Sequence, residues 1–317
     1  MEVIISEQDI INTYNTRQQE QCKLFYEYKK LKKENSEFGY KRISKLLGQS
    51  ESKTRWWNCG KHTPTPIQTV KWLKEKELIP LSWDNPNLPL IAKILGATFS
   101  DGGIFENLNA IFLSSSEIES VKEFGNDLKK VFGEVVGQNS RIIEGGEYGH
   151  SWSYQNTNRN IIRLFKALGA PIGRKSKIKL KLPEWILKNE IIADNFIGSI
   201  IGGDGGIPKP IRNRPGYINI GITGKDNFKE NRIDFLEELR KYFIMKGIGT
   251  NKIYISKGEE RDIFKLPLKT TLPNFLNFYE SVPINYCIYK KLKLKLTIEV
   301  WNEFNINERN QVISSDI

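Results

Sequence analysis

Apolar residues fall along this chain in two rhythms, and their alternation predicts most of its elements. Spacings of three or four residues mark helices. Ile118, Val121, Phe124, Leu128 and Val131 form one such stripe, and Ile233, Leu236, Leu239 and Phe243 form another. Short runs bounded by glycine or asparagine predict strands. Residues 104–106 and 110–114 read as a hairpin turning at 107–109, and residues 140–144 and 150–155 as a second hairpin around Gly145-Gly146. Further strands are expected at 217–223, 251–256 and 262–266, and further helices at 160–168 and 272–279. The order of helix and hairpin in the first set recurs in the second, the mark of an internal duplication.

Each repeat opens with one device. Ile94 to Gly103 (ILGATFSDGG) and Ile197 to Gly206 (IGSIIGGDGG) are apolar runs dotted with small residues, and each ends in an acid and two glycines. As helices they place Gly96 and Ser100, or Ser199 and Gly203, four residues apart on one face, where small side chains let two backbones approach closely. The glycine pair then stops the helix. Packed together, the helices bring Asp101 and Asp204 to one end of their contact. Two carboxylates side by side repel unless a cation lies between them.

The region before the repeats is helical and polar. From Tyr40 to Trp57 (YKRISKLLGQSESKTRWW), a short helix, a turn at Gly48 and a second short helix bearing Lys53 and Arg55 resemble a helix-turn-helix, with Ile67 to Lys76 as a supporting helix. Three prolines between Pro80 and Pro89 make a linker. The expected division is a helical DNA-binding region at 1–80 and two repeats at 81–190 and 191–317.

Charge narrows the choice of partner. The 317 residues carry 48 Lys and Arg against 37 Asp and Glu, a net charge of +11, which favours a polyanion. Three scattered cysteines and two histidines exclude a disulfide scaffold and a histidine-rich metal site. No apolar run reaches membrane-spanning length and the first residues lack a signal peptide's pattern, so an intracellular, reduced, cytoplasmic location without membrane partners is expected.

The two acid-ended runs resemble the motif of the LAGLIDADG homing endonucleases, in the form that carries both copies on one chain. Residues 94–102 match with Gly96 at the third position and Asp101 at the eighth; residues 197–205 keep Asp204 at the eighth but have Ser199 at the third. Position six, often acidic in the family, is Phe99 and Gly202, so only Asp101 and Asp204 carry over. The resemblance implies an α+β fold: two half-domains forming a pseudo-symmetric saddle with two antiparallel sheets over duplex DNA, preceded here by a small helical domain. It implies a monomer that hydrolyses one phosphodiester on each DNA strand, with Mg²⁺ or another divalent cation bound by Asp101 and Asp204 and by backbone carbonyls at the helix ends.

A basic residue beside the scissile phosphate is matched by Lys225 in GITGKD, where the first repeat has Ser116-Glu117. Groove-facing candidates are Arg141, Ser151, Ser153 and Gln155 in the first repeat, and Arg212, Arg214, Lys252, Lys257 and Arg261 in the second. Two rivals share the fold: an RNA-binding splicing cofactor with intron RNA as partner, and a DNA-binding regulator without cleavage. Retention of both acids argues against the regulator, because buried like charges are costly without a metal. The motif also occurs in inteins; a start at Met1 and an end at Ser315-Asp316-Ile317, without a leading nucleophile or terminal His-Asn, favour a free-standing, intron-encoded endonuclease.

Overall fold

Helix and strand follow the apolar periodicity through most of the chain. The computed structural model describes residues 2–145, 150–210, 216–259 and 261–315, with backbone only for 226 and 304–315. The chain divides into two compact units, residues 1–85 with 163–168, and residues 86–162 with 169–317. Among the described residues no helix is long and apolar enough to cross a membrane.

The first unit runs β1 (Val3–Ile5), α1 (Glu7–Asn12), α2 (Thr16–Glu34), α3 (Tyr40–Leu46), α4 (Glu51–Asn58), α5 (Thr65–Glu75) and β2 (Leu81–Ser82), with β1 and β2 paired antiparallel. Phe25 and Tyr28 of α2, Ile43 of α3 and Trp57 of α4 form a buried cluster. Phe25 meets Trp57 edge-on at 5.6 Å, and the Tyr28 hydroxyl donates to Asn58 Oδ1 at 3.0 Å.

The second unit holds α6 (Leu88–Phe99), β3 (Gly102–Ile104), β4 (Ile111–Ser115), α7 (Ile118–Phe132), α8 (Val135–Gln138), β5 (Ser140–Glu144), β6 (Trp152–Asn156) and the first residues of α9 (Arg159–Ala167), whose residues 163–167 belong to the first unit. Then follow α10 (Glu190–Asp204), β7 (Gly205–Gly206), β8 (Asn219–Gly224), α11 (Lys229–Met245), β9 (Tyr254–Ser256), β10 (Asp262–Pro267), α12 (Leu272–Ser281) and α13 (Ile288–Ser315). The strands form two four-stranded antiparallel sheets, β3-β4-β6-β5 and β7-β8-β10-β9. Strand order is the same in both, so the fold is α+β and duplicated. Alternation along the strands buries Ile111, Leu113 and Tyr154 in one sheet and Ile220, Phe264 and Leu266 in the other, leaving each sheet an open face.

The two repeats meet through α6 and α10. Their backbones come so close at Gly96 that a Cβ there would lie 2.2 Å from the Phe196 carbonyl oxygen; one at Gly203 would lie 2.5 Å from Ser100 Cβ. The Ser100 hydroxyl donates to Ser199 O at 3.1 Å across the contact. Phe99 packs edge-on to Phe196 at 5.2 Å and stacks on Phe235 at 5.9 Å.

Two basic runs that are alike in sequence, Gly173 to Ile186 (GRKSKIKLKLPEWI) and Tyr289 to Leu296 (YKKLKLKL), fold differently. In the first repeat, Lys175–Lys177 make a 3₁₀ turn and the chain continues irregularly, whereas Tyr289 to Leu296 lie inside α13. Helical spacing explains the second case, because Leu294, Thr297, Ile298 and Trp301 are buried at steps of three and four while Leu292 and Leu296 are exposed.

Candidate functional site

Helix α6 ends at the residue before Ser100, and α10 ends in Asp204, so the close α6–α10 contact delivers both acids to one end. Asp101 lines a cavity of ≈ 480 Å³ together with Ser114, Glu117, Gly203, Tyr286 and Lys290, among others. Burial pushes the Asp204 carboxyl up to about 7; Lys175 opposes that rise and the negative charge of Asp101 adds to it. Asp101 is also raised by desolvation, against the pull of Lys290 and Lys175, although its side chain keeps solvent access.

Two lysines close the site, one from each basic run. Lys175 Nζ donates to the carbonyls of Ser100 and, at 2.6 Å, Gly102. Lys290 Nζ donates to the carbonyl of Gly203. Burial lowers the pKa of both amines, and Asp101 and Asp204 counter the effect. Each lysine is held by the opposite repeat. The Arg232 guanidinium of α11, fully buried, donates to the carbonyls of Lys175 at 2.7 Å and Ile178 at 2.9 Å. The Glu117 carboxylate accepts from the backbone N–H of Ile288 at 2.9 Å and Tyr289 at 3.0 Å, capping the start of α13.

This arrangement explains why the repeats differ after their second strand. Glu117 follows β4 and anchors a helix, while Lys225 follows β8 and is exposed. The cations whose charge acts on the acids are Lys175 and Lys290. Sequence reading passed over both; the parallel basic runs were the available signal, but nothing in them marks which lysine turns inward.

The donor chemistry fits a hard divalent cation, since two carboxylates that resist ionisation together gain by sharing one. Among the described residues no group of three or more His, Cys, Asp or Glu is placed to hold a metal, so the protein would supply few ligands. The helix-end carbonyls of Ser100 and Gly203 each accept from a lysine, which leaves each oxygen a second lone pair.

The open sheet faces carry polar side chains. In the first sheet, Arg141 and Gln155 are cross-strand partners, with Arg141 Nη2 donating to Gln155 Oε1 at 3.0 Å. One step along, the Ser114 hydroxyl donates to Ser153 at 3.1 Å. Ser151 sits beyond the end of β6, its hydroxyl on the Gly145 carbonyl. In the second sheet the mid-strand cation is Lys265, beside Tyr254, which the sequence reading missed. Lys252 and Arg261 lie outside the strands and are exposed, and Lys257 pairs with Asp262 at 2.7 Å. Arg212 and Arg214 lie outside the described residues. In the other unit, Arg55 is exposed on α4, whereas Lys53 is half-buried and donates to Gln49 Oε1 at 2.9 Å.

No protein-family model matches the chain. It is similar to a tRNA-splicing ligase RtcB of Pyrococcus abyssi, 29% identical over 233 residues, 71% of this chain and 25% of that protein. A DNA-directed RNA polymerase subunit Rpo1N of Methanocaldococcus jannaschii is 29% identical over 265 residues, 76% of this chain and 19% of that protein. A replication factor C small subunit of the same organism is 23% identical over 234 residues, 72% of this chain and 13% of that protein. The chain thus spans a quarter or less of these curated relatives. Among solved structures it resembles a mesophilic variant of the homing endonuclease I-DmoI, with TM-score 0.45, 13% identity and coverage of 67% and 99%. I-DmoI in complex with DNA and Mn gives TM-score 0.42, 13% identity and coverage of 62% and 97%. The homing endonuclease I-WcaI bound to its DNA recognition sequence gives TM-score 0.42, 16% identity and coverage of 73% and 92%.

Proposed function

We propose that this chain is a site-specific endonuclease of duplex DNA, with Asp101 and Asp204 as ligands of Mg²⁺ or a similar divalent cation. The observation that carries the reading is the meeting of two motif acids at one end of the α6–α10 contact, each acted on by the half-buried Lys175 and Lys290. The relatives support it indirectly. A ligase, a polymerase subunit and a replication factor share no activity by name, yet each contains a stretch like this one. A segment shared by hosts of such different names is not accounted for by any one of their activities, which supports reading it as a mobile element rather than as ligase machinery.

Bound cations would supply a water nucleophile at neutral pH and charge stabilisation for the leaving oxygen. Asp101 and Asp204 hold them. Lys175 and Lys290 offset the carboxylate charge, so phosphate approaches a site that is not strongly negative. The open faces offer Arg141, Gln155, Ser153 and Lys265 to the duplex.

Two outcomes follow directly. Duplex affinity falls by about a hundredfold or more between roughly 50 and 200 mM salt, as phosphate contacts release counterions; an affinity that stays flat in a fluorescence titration contradicts a polyanion partner. Proton and cation also compete at Asp204, whose pKa is about 7. Above that pH the carboxylate is ionised and cation affinity levels off; below it, half-saturating Mg²⁺ rises by about tenfold per pH unit. Calorimetric titration at several pH values checks the slope.

The function itself is tested by incubating the protein and Mg²⁺ with a library of DNA duplexes and, in parallel, with the same sequences as RNA, and sequencing any new ends. Paired breaks at one sequence, absent in EDTA, support it; breaks only in RNA, or none, count against it.

A further inference from the structure

The cleavage reading leaves the basic helices of the first unit unused. We propose that α3 and α4 form a helix-turn-helix that reads duplex DNA in the major groove through the outward side of α4.

The local geometry supports this independently of the acid pair. Leu47 to Ser50 join α3 to α4, and Gly48 turns the chain at φ +60°, a conformation that favours glycine. Gln49 N–H donates back to Ser44 O at 2.9 Å, and the Ser50 hydroxyl accepts from Lys53 N–H at 3.4 Å to cap α4. Ile43 and the small Ser44 are buried on α3, and Thr54 and Trp57 on α4; Ile43 and Trp57 pack with Phe25 and Tyr28 of α2 in one cluster. Lys53 braces the turn, its amine 5.1 Å from the Trp57 ring centre and bonded to Gln49.

What remains turned outward on α4 is Glu51, Ser52, Arg55, Trp56 and Asn58, the last tied to the core side through the Tyr28 hydroxyl. Trp56 stacks on His62 at 3.9 Å, which holds the indole while leaving it 48% exposed. Eight helical residues span about 12 Å, close to the major-groove width. Lys41, Arg42 and Lys45 are exposed on α3, and Lys61 follows α4; across residues 39–62 only Glu51 is acidic. A polar helix flanked by cations suits a groove walled by phosphates better than an apolar protein partner. Arg55 is the base-reading candidate, because a guanidinium matches the two acceptors of guanine, while the α3 cations meet phosphate and carry no sequence information.

The test selects duplexes from a random library with the full chain in EDTA, for wild type, Arg55→Ala, Lys41→Ala/Lys45→Ala, and Asp101→Asn. Wild type is expected to enrich one motif. Arg55→Ala should lose preference at one or two positions and bind the wild-type motif about tenfold more weakly, with thermal unfolding unchanged. Lys41→Ala/Lys45→Ala should weaken all duplexes alike and lower the salt slope. Asp101→Asn should select the wild-type motif, so a failed cleavage reading leaves this result distinguishable. An unchanged motif and affinity for Arg55→Ala overturns the proposal, as does a wild-type chain that enriches no duplex motif or prefers RNA.

Discussion

Asp101→Asn and Asp204→Asn each lower single-turnover cleavage of the target duplex at least about a hundredfold, while duplex affinity changes by less than about threefold. Asparagine keeps the size of the side chain and removes the charge that holds a cation. The acids come from different repeats yet act on one another, since the charge of Asp101 helps raise the pKa of Asp204. The double variant is therefore little worse than either single one. Binding survives because the open sheet faces are untouched. Rapid-mixing cleavage and equilibrium binding on the same duplex check both halves; full-rate cutting by either variant would reduce the acids to helix-end residues.

Gly96→Ala destabilises the fold by about 3 kcal/mol or more and lowers its melting temperature by roughly 6–12 °C. The added Cβ would lie 2.2 Å from the Phe196 carbonyl oxygen, far inside normal contact. Both partners are helix backbone, so α6 and α10 must part, and the acids with them. A comparison at Gly137 isolates the effect: nothing lies within 4 Å of a Cβ there, and Gly137→Ala in α8 is expected to be neutral or slightly stabilising. A Gly96→Ala protein as stable as wild type would refute the close α6–α10 approach.

Particular residues show how far sequence carries and where it stops. Gly96, Ser100, Ser199 and Gly203 announced a close helix contact because small side chains at that spacing have few other uses, and all four lie in it or at its edge. Apolar stripes such as Val121, Phe124 and Leu128 announced α7 because steps of three and four put them on one buried helix face. Lys175 and Lys290 were not legible as site residues. Each sits in a run of lysines, and which one turns inward depends on Arg232 and Glu117, contacts made across 57 and 171 residues of chain. Lys265 was hidden for a different reason: its place on the open face depends on the register of β10 against β8 and β9, which local sequence does not fix.

The claim on which the account rests is that the two motif acids make one divalent-cation centre. Mn²⁺ titrated into the complex with the duplex recovered from the library, with free Mn²⁺ followed by electron paramagnetic resonance, tests it most directly. The account predicts saturable Mn²⁺ binding by wild type, weakened at least about tenfold in both Asp101→Asn and Asp204→Asn. Mn²⁺ binding that is the same in all three proteins would contradict it.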